Sequence, residues 1–267
     1  MSKAYDTQFH KLVKRLINSQ RPQVLKKLLE TLNPVEIANI LLQLKLKHQL
    51  VALEMLDRET ASEVLTNLRD SSTILESLVE QMSPEQLSGF VGEMQEDDAA
   101  DFVSMMEEEQ ADALLETLPE KNRETLTNLL QFDEETAGGL MTPYVVSIHK
   151  DQNVGQAIQE IQRYVKKQGQ FQMFYTAYVV DEYQHLIGTV SVTELLMADK
   201  RMLIQNLMNP EVVAVDQDLD QEEVLLLAKQ YDLVVVPVID KHLRLIGRIT
   251  IDDLVDVMED EHLEDIG

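Results

Sequence analysis

The second half of the chain repeats itself. Leu140-Met141-Thr142-Pro143-Tyr144-Val145-Val146 is answered 67 residues later by Leu207-Met208-Asn209-Pro210-Glu211-Val212-Val213. Tyr178-Val179-Val180-Asp181 through Leu186-Ile187-Gly188-Thr189-Val190-Ser191 is answered 59 residues later by Pro237-Val238-Ile239-Asp240 through Leu245-Ile246-Gly247-Arg248-Ile249-Thr250. The offsets differ by eight, taken up by extra polar residues around Val165 to Gln172 in the first copy. Each copy reads as a strand, a helix, a β-strand, a two-strand hairpin and a closing helix. The hairpins turn at Asp181-Glu182-Tyr183-Gln184 and Asp240-Lys241-His242, and the closing helices begin at Thr193-Glu194 and Asp252-Asp253. Such a unit is too small to close a core alone, so the copies are expected to pack as a pseudo-twofold pair.

Residues 1 to about 132 follow helical grammar instead. Leu32-Asn33-Pro34-Val35-Glu36-Ile37 and Met82-Ser83-Pro84-Glu85-Gln86-Leu87 each place a capping side chain, a first-turn proline and a capping-box partner ahead of apolar residues at helical spacing. Short, separately capped helices with one apolar stripe each must stack to bury it, which predicts a curved helical array. At 267 residues the chain is long for one core, and 44% apolar residues suffice for several.

Charge narrows the function. With 48 acidic and 23 basic side chains the formal net charge is -25, which repels phosphate backbones and argues against nucleic acid as a partner. Absence of cysteine excludes disulfides and thiolate metal sites. The start, MSKAYDTQFHKLVKRL, lacks the apolar core of a signal peptide, and no uncharged run reaches the roughly 18–20 residues that span a bilayer. The six histidines form no ligand pair, and His185 and His242, at the hairpin turns, are expected to be solvent-exposed. No P-loop, Gly-x-Ser-x-Gly elbow or Gly-x-Gly-x-x-Gly appears, so an enzyme built on paired carboxylates would lack a nucleophile and a plausible site. Gly138-Gly139 suits a tight junction, and Met94, Met105 and Met106 read as helical core fillers.

Two acidic runs remain. Fifteen carboxylates lie between Arg69 and Lys121 with no basic residue among them, and eight more lie between Asp252 and Asp265, beyond the last arginine, Arg248. Asp97 and Asp101, four apart, share a helical face, where two charges repel by about 3 kcal/mol at an effective dielectric of 20 and under about 1 kcal/mol in water. A solvated face tolerates this; a closed interface requires a cation. Asp253 and Asp256 share another face, Glu264 continues it, and Asp232 stands at the mouth of the strand entering the second hairpin. Oxygen-only donors of this kind suit a hard cation such as Mg²⁺, which keeps several waters and needs one or two carboxylates.

The duplicated unit resembles a tandem pair of CBS domains, carried chiefly by Gly247-Arg248-Ile249-Thr250-Ile251-Asp252-Asp253; the first copy departs from it at Ser191-Val192-Thr193-Glu194. Asp97-Asp98-Ala99-Ala100-Asp101, Glu135-Thr136-Ala137-Gly138-Gly139-Leu140-Met141-Thr142 and the terminal Asp252 to Ile266 stretch together resemble the cytosolic part of MgtE-type magnesium transporters and channels. That resemblance implies a multidomain α plus α/β chain: an armadillo-like helical superhelix over 1–132, CBS domains over 133–200 and 201–258, and the start of a connecting plug helix over 259–267. It implies a cytoplasmic position beneath the protein's own transmembrane pore domain, a homodimer formed through the CBS domains, and Mg²⁺ bridging the parts. Carried over residue by residue, the ligands are Asp97 and Asp101 on the helical domain, Asp232, Asp253 and Asp256 on the second CBS domain, and Glu264 and Asp265 on the connecting helix, with Glu222 and Glu261 added by spacing. The CBS likeness also implies an adenine nucleotide such as ATP, with Arg248, Thr250 and Asp253 as contacts. The expected function is therefore a magnesium sensor in which bound Mg²⁺ stabilises a closed pore, with an adenine-nucleotide-binding CBS regulatory module as the alternative and a purely structural acidic scaffold as a further rival.

Overall fold

The computed structural model describes residues 3–69, 71–168 and 174–264, excluding the side chains of 3–8, 72, 167–168 and 259–264. The chain divides into two compact units, Met1–Leu130 and Gln131–Gly267.

The first unit is helical throughout: α1 (Lys3–Asn18), α2 (Pro22–Leu29), α3 (Pro34–Leu41), α4 (Leu46–Leu53), α5 (Arg58–Thr66), α6 (Ser72–Val79), α7 (Pro84–Val91), α8 (Glu96–Ser104), α9 (Glu108–Thr117) and α10 (Glu120–Leu129). Both expected capping boxes form: Asn33 and Ser83 each accept from the backbone of the third helical residue and receive Glu36 or Gln86 in return. Helices of eight to ten residues are marginal alone, so stacking must stabilise them. It follows an alternating rule, with α1, α3, α5, α7 and α9 packed in one row, while α4 packs on α6 and α8 on α10. Leu25, Ile37, Leu53, Leu65, Leu78 and Leu114 are buried between the layers.

The array has a period that the two proline-marked starts only hint at. N-cap residues fall at Asn33, Lys45 and Asp57, then at Ser71, Ser83, Gln95, Glu107 and Pro119. The step is twelve residues except between Asp57 and Ser71, where it is fourteen. An apolar residue precedes most caps: Leu32, Leu44, Leu56, Met82, Met94, Met106 and Leu118, a placement that packs back onto the following helix and fixes each turn.

The second unit begins with the short helix α11 (Ala137–Leu140), then β1 (Ser147–His149), α12 (Val154–Gln168), β2 (Thr176–Val180), β3 (Leu186–Ser191) and α13 (Val192–Met197). The second copy follows as α14 (Ile204–Leu207), β4 (Val215–Asp216), α15 (Gln221–Gln230), β5 (Val235–Ile239), β6 (Leu245–Thr250) and α16 (Ile251–Glu264). Each sheet has three strands, the first pair parallel and the second antiparallel. The strand following the long helix is itself the first arm of the hairpin, so among the described residues the separate strand expected there is absent.

A bridge from the other copy flanks each sheet. Thr142 and Arg248 exchange backbone hydrogen bonds of 2.9 and 3.0 Å, and Asn209 and Thr189 exchange 2.9 and 2.8 Å. The lead segment of each copy thus lies against the hairpin of the other. Gly247 and Gly188 make room: a Cβ on Gly247 would meet Met141 Cγ at 2.8 Å and Thr142 O at 3.0 Å, and one on Gly188 would meet Met208 Sδ at 2.8 Å and Asn209 O at 3.0 Å. The hairpin turns also pair, Leu186 N donating to Leu243 O and Leu245 N to Gln184 O.

Gly138 and Gly139 sit in crowded surroundings within the second unit. A Cβ on Gly139 would meet the Asp133 carbonyl and, at 2.8 Å, Glu134 Cα and O, all backbone atoms. Gly139→Ala is therefore expected to destabilise this unit by about 1–3 kcal/mol, read as a lower urea midpoint, whereas Gly89→Ala, inside α7 with only the flexible Arg58 side chain at 3.4 Å or more from its Cβ, should leave stability unchanged or raise it.

Candidate functional site

The carboxylates selected by sequence occupy different environments. Asp97, in the first turn of α8, is buried at 8% exposure. Asp101, one turn on, is half-buried, and its Oδ2 accepts from Arg69 Nη1 at 2.8 Å. Arg69 stands 32 positions earlier, in the turn after α5. The acidic run therefore draws one counter-charge from outside itself, a partner that helical spacing cannot reveal.

On the second CBS copy, Asp253 sits at the third position of α16, and its Oδ2 accepts from Thr250 N at 2.6 Å and Thr250 Oγ1 at 2.8 Å. Ser191 and Glu194 make the corresponding full capping box in copy one. Burial pushes the Asp253 carboxyl above its usual range, the Thr250 hydrogen bonds oppose this, and the charges of Asp256 and Asp252 add to it. Asp256 is exposed one turn further along α16. Asp232 follows Tyr231, the C-cap of α15, with a left-handed φ of 53°, while Leu233 N reaches back to Ala228 O at 2.9 Å. This is a Schellman end, where glycine is the least strained occupant and a negative charge opposes the helix dipole. Glu222 is exposed in the first turn of α15, where an acid favours the helix. Asp265 and the side chains of Glu261 and Glu264 lie outside the described residues. Among the described residues, no three His, Asp or Glu side chains converge as a ready metal cluster.

The proposed nucleotide contacts lie where the copies exchange segments. Arg248 and Thr142 are buried, and the Thr142 hydroxyl makes no hydrogen bond among the described residues. Tyr178 of the first copy is buried and its phenol is pushed up to about 12 by that burial, with the Arg248 guanidinium acting in the opposite sense. A positive group of one copy thus lies within electrostatic reach of an aromatic of the other, and it shares a backbone bridge with the residue whose hydroxyl is unsatisfied, a combination suited to a polar, anionic ligand.

The turns hold a second matched pair of carboxylates. Asp181 accepts from the backbone of Tyr183 and His185 and from His185 Nδ1, and Asp240 accepts from the backbone of His242 and Arg244 and from the Arg244 guanidinium. His185 is therefore tied into its turn rather than simply solvated, a correction to the sequence expectation, while His242 is exposed as expected. Burial raises both carboxyls, and the hydrogen bonds and neighbouring cations outweigh it, leaving both below the usual range.

Two family profiles match the chain: "MgtE intracellular N domain" over residues 32–135 and "CBS domain" over 137–201 and 204–260. The cytosolic domain of the Mg²⁺ channel MgtE, solved in complex with ATP, superposes with a TM-score of 0.82 at 32% identity, covering 92% of this chain and 98% of that one. The chain belongs to the MgtE family. A crystal structure of the soluble part of a magnesium transporter superposes at a TM-score of 0.81 with 26% identity, covering 96% of this chain and 99% of that one. The magnesium transporter MgtE of Thermus thermophilus is 34% identical over 246 residues, 91% of this chain and 54% of the relative. The chain thus spans about half the length of that MgtE. No helix among the described residues is long and apolar enough to cross a membrane.

The depressed carboxyl of Asp240 contributes stability that is full above its unfolded pKa, about 3.9, and is lost as pH falls through the lower folded value. Asp240→Asn is accordingly expected to lower unfolding free energy by about 1–2 kcal/mol at pH 7 and by much less at pH 3. Asp253 has the opposite sign, since its raised carboxyl is relieved by protonation, so Asp253→Asn in chelator should be close to neutral at pH 7. Urea titrations at the two pH values check both.

Proposed function

We propose that this MgtE chain is a Mg²⁺-sensing regulatory region. In this reading, Mg²⁺ held by acidic groups of the N domain, the second CBS copy and the helix that follows stabilises the closed state of a pore elsewhere in the full protein. Asp97 and Asp101 on the N domain, and Asp232, Asp253 and Asp256 on the second CBS copy, are the ligands within the described residues. Glu222 is a peripheral candidate, and Glu261, Glu264 and Asp265 extend the set along the connecting helix.

The observation that carries the reading is Asp253. Its carboxyl is raised by burial and by two acidic neighbours, so a cation gains there what the ion-free chain lacks. Asp232 adds to it, an acid held in a left-handed conformation at the negative end of a helix. Both supply oxygen donors only, which suits a hard, hydrated cation. Because no described trio of ligands converges within either unit, ions would bind through few carboxylates and several waters, and affinity would depend on the state of the whole chain. That is what a sensor requires: a ligand shifts a two-state equilibrium only through unequal affinity for its states, and a full switch takes about 5.5 kcal/mol of difference.

A nucleotide reading for the same chain rests on Arg248, Tyr178 and the unbonded Thr142 hydroxyl, with Thr250 and Asp253 at the edge. The similar domain solved with ATP supports it. The two ligands are compatible. Titration with ATP at fixed low Mg²⁺ separates them, since Arg248→Ala should abolish the nucleotide response and spare the ion response.

A second copy of the chain is the proposed partner of the CBS pair. Leu196 and Met197 of α13 are 70% and 83% exposed, and Tyr175 stands beside them, its carbonyl accepting from Val192 N. At the equivalent positions of the second copy, Val234 and Val255 are exposed apolar residues answering Tyr175 and Leu196, while Met197 is answered by the exposed Asp256. An apolar surface repeated on both halves of a pseudo-twofold unit suits a self-complementary interface. Leu196→Asp with Met197→Asp is expected to convert a dimer to a monomer by sedimentation velocity, without loss of helical signal.

Small-angle scattering across a Mg²⁺ titration, with Na⁺ matched for ionic strength, tests the sensor. The expected result is a saturable compaction that Asp97→Ala/Asp101→Ala/Asp253→Ala loses. Equal compaction by Na⁺, or none, would leave the carboxylates as solvated surface.

A further inference from the structure

The twelve-residue period of the N domain breaks once, and the break holds an arginine. A regular step from the Asp57 cap would place the next cap at position 69; instead α5 and its turn run longer, the cap falls at Ser71, and Arg69 occupies the extended turn. From there its guanidinium reaches across to α8 and donates to Asp101 Oδ2 at 2.8 Å. Arg69 also lines a small cavity with Asp98, Met94 and Phe102, so its side chain runs along apolar surface before it meets the acidic helix. Asp101 thus meets a guanidinium that comes from outside its own helix.

We propose that Arg69 is a built-in counter-ion for Asp101, which a divalent cation must displace, and that it thereby sets the cation concentration at which this acidic face loads. The inference rests on the reading of Asp101 as a cation ligand. The pair is suited to exchange. Arg69 and Asp101 are 34% and 30% exposed, so neither charge is sealed from water, and a partly exposed pair of this kind is weak enough to be opened. In the ion-free chain the guanidinium relieves part of the repulsion between Asp101 and Asp97. A divalent ion relieves more, and on binding Asp101 it releases the guanidinium to solvent or to neighbouring carboxylates.

The test is Mn²⁺ binding to the full chain, followed by the loss of the free-ion paramagnetic resonance signal, with Mg²⁺ added as competitor and scattering recorded on the same samples. Arg69→Met keeps the apolar stem and removes the charge. It is expected to tighten cation binding by about 2- to 5-fold, the range a partly exposed ion pair supports. Arg69→Lys should stay near the original affinity, and in an Asp101→Asn background Arg69→Met should have little effect. Unchanged or weaker binding in Arg69→Met, or an undiminished effect in the Asp101→Asn background, overturns the proposal; should Arg69→Met fold poorly, the Arg69→Lys and Asp101→Asn arms use Arg69→Gln in its place. Tighter binding without any compaction would leave the counter-ion in place and overturn the sensor. Compaction in the unsubstituted chain with no tightening would do the reverse, and absence of cation binding overturns both.

Discussion

Neither CBS copy finishes its own sheet. The lead of copy one lies on the hairpin of copy two through the Thr142–Arg248 bridge, and the lead of copy two lies on the hairpin of copy one through Asn209–Thr189. This reciprocal placement explains several features that look separate in the sequence. Glycine is required at 188 and 247 because methionine and a backbone carbonyl from the other copy occupy the space. Gln184 and Leu243 adopt left-handed conformations because the two turns must meet edge to edge. Asp181 and Asp240 rigidify those turns by accepting from the backbone within them. The same packing buries Arg248, Tyr178 and Thr142, so the burial of these polar groups follows from the way two incomplete units complete each other.

The helical unit solves the same problem by repetition. Each short helix buries one stripe, and the row of α1, α3, α5, α7 and α9 grows by adding equivalent neighbours. Acidic substitution on the outer faces costs such an array little, since stability resides in the buried leucines and the caps. That tolerance allows fifteen carboxylates to accumulate between Arg69 and Lys121 without dismantling the fold.

Much of this was legible in the sequence because it rests on local rules. The capping boxes at Asn33 and Ser83 use residues three apart, and the duplicated hairpins declare themselves through Asp, Gly and β-branched positions at fixed offsets. The twelve-residue period was less visible, since Lys45, Gln95, Glu107 and Pro119 are caps without a side-chain cap bond and only the preceding apolar residue marks them. Long-range partners were not legible. Nothing in the spacing of Asp97 and Asp101 announces Arg69, and nothing in Asp253 distinguishes a capping carboxylate from a ligand until Thr250 is seen to occupy one of its oxygens. His185 was missed for a similar reason: a turn histidine looks solvated unless the aspartate four residues earlier is recognised as its partner.

Acidity alone therefore does not identify the groups able to take a cation. Asp240 is satisfied by two backbone donors and a guanidinium, and a cation would have to displace all of them for little gain. Asp101 is paired with a partly exposed guanidinium, so exchange there costs little. Asp253 gives one oxygen to Thr250 and carries the penalty of burial beside Asp256 and Asp252. Ordered by what a divalent ion would gain, Asp253 comes first, Asp101 second and Asp240 last. The chain places largely buried, multiply hydrogen-bonded carboxylates in the turns that hold the CBS copies together, and a partly exposed ion pair on the acidic helix α8, which is where the proposed sensor reading needs exchange to be easy.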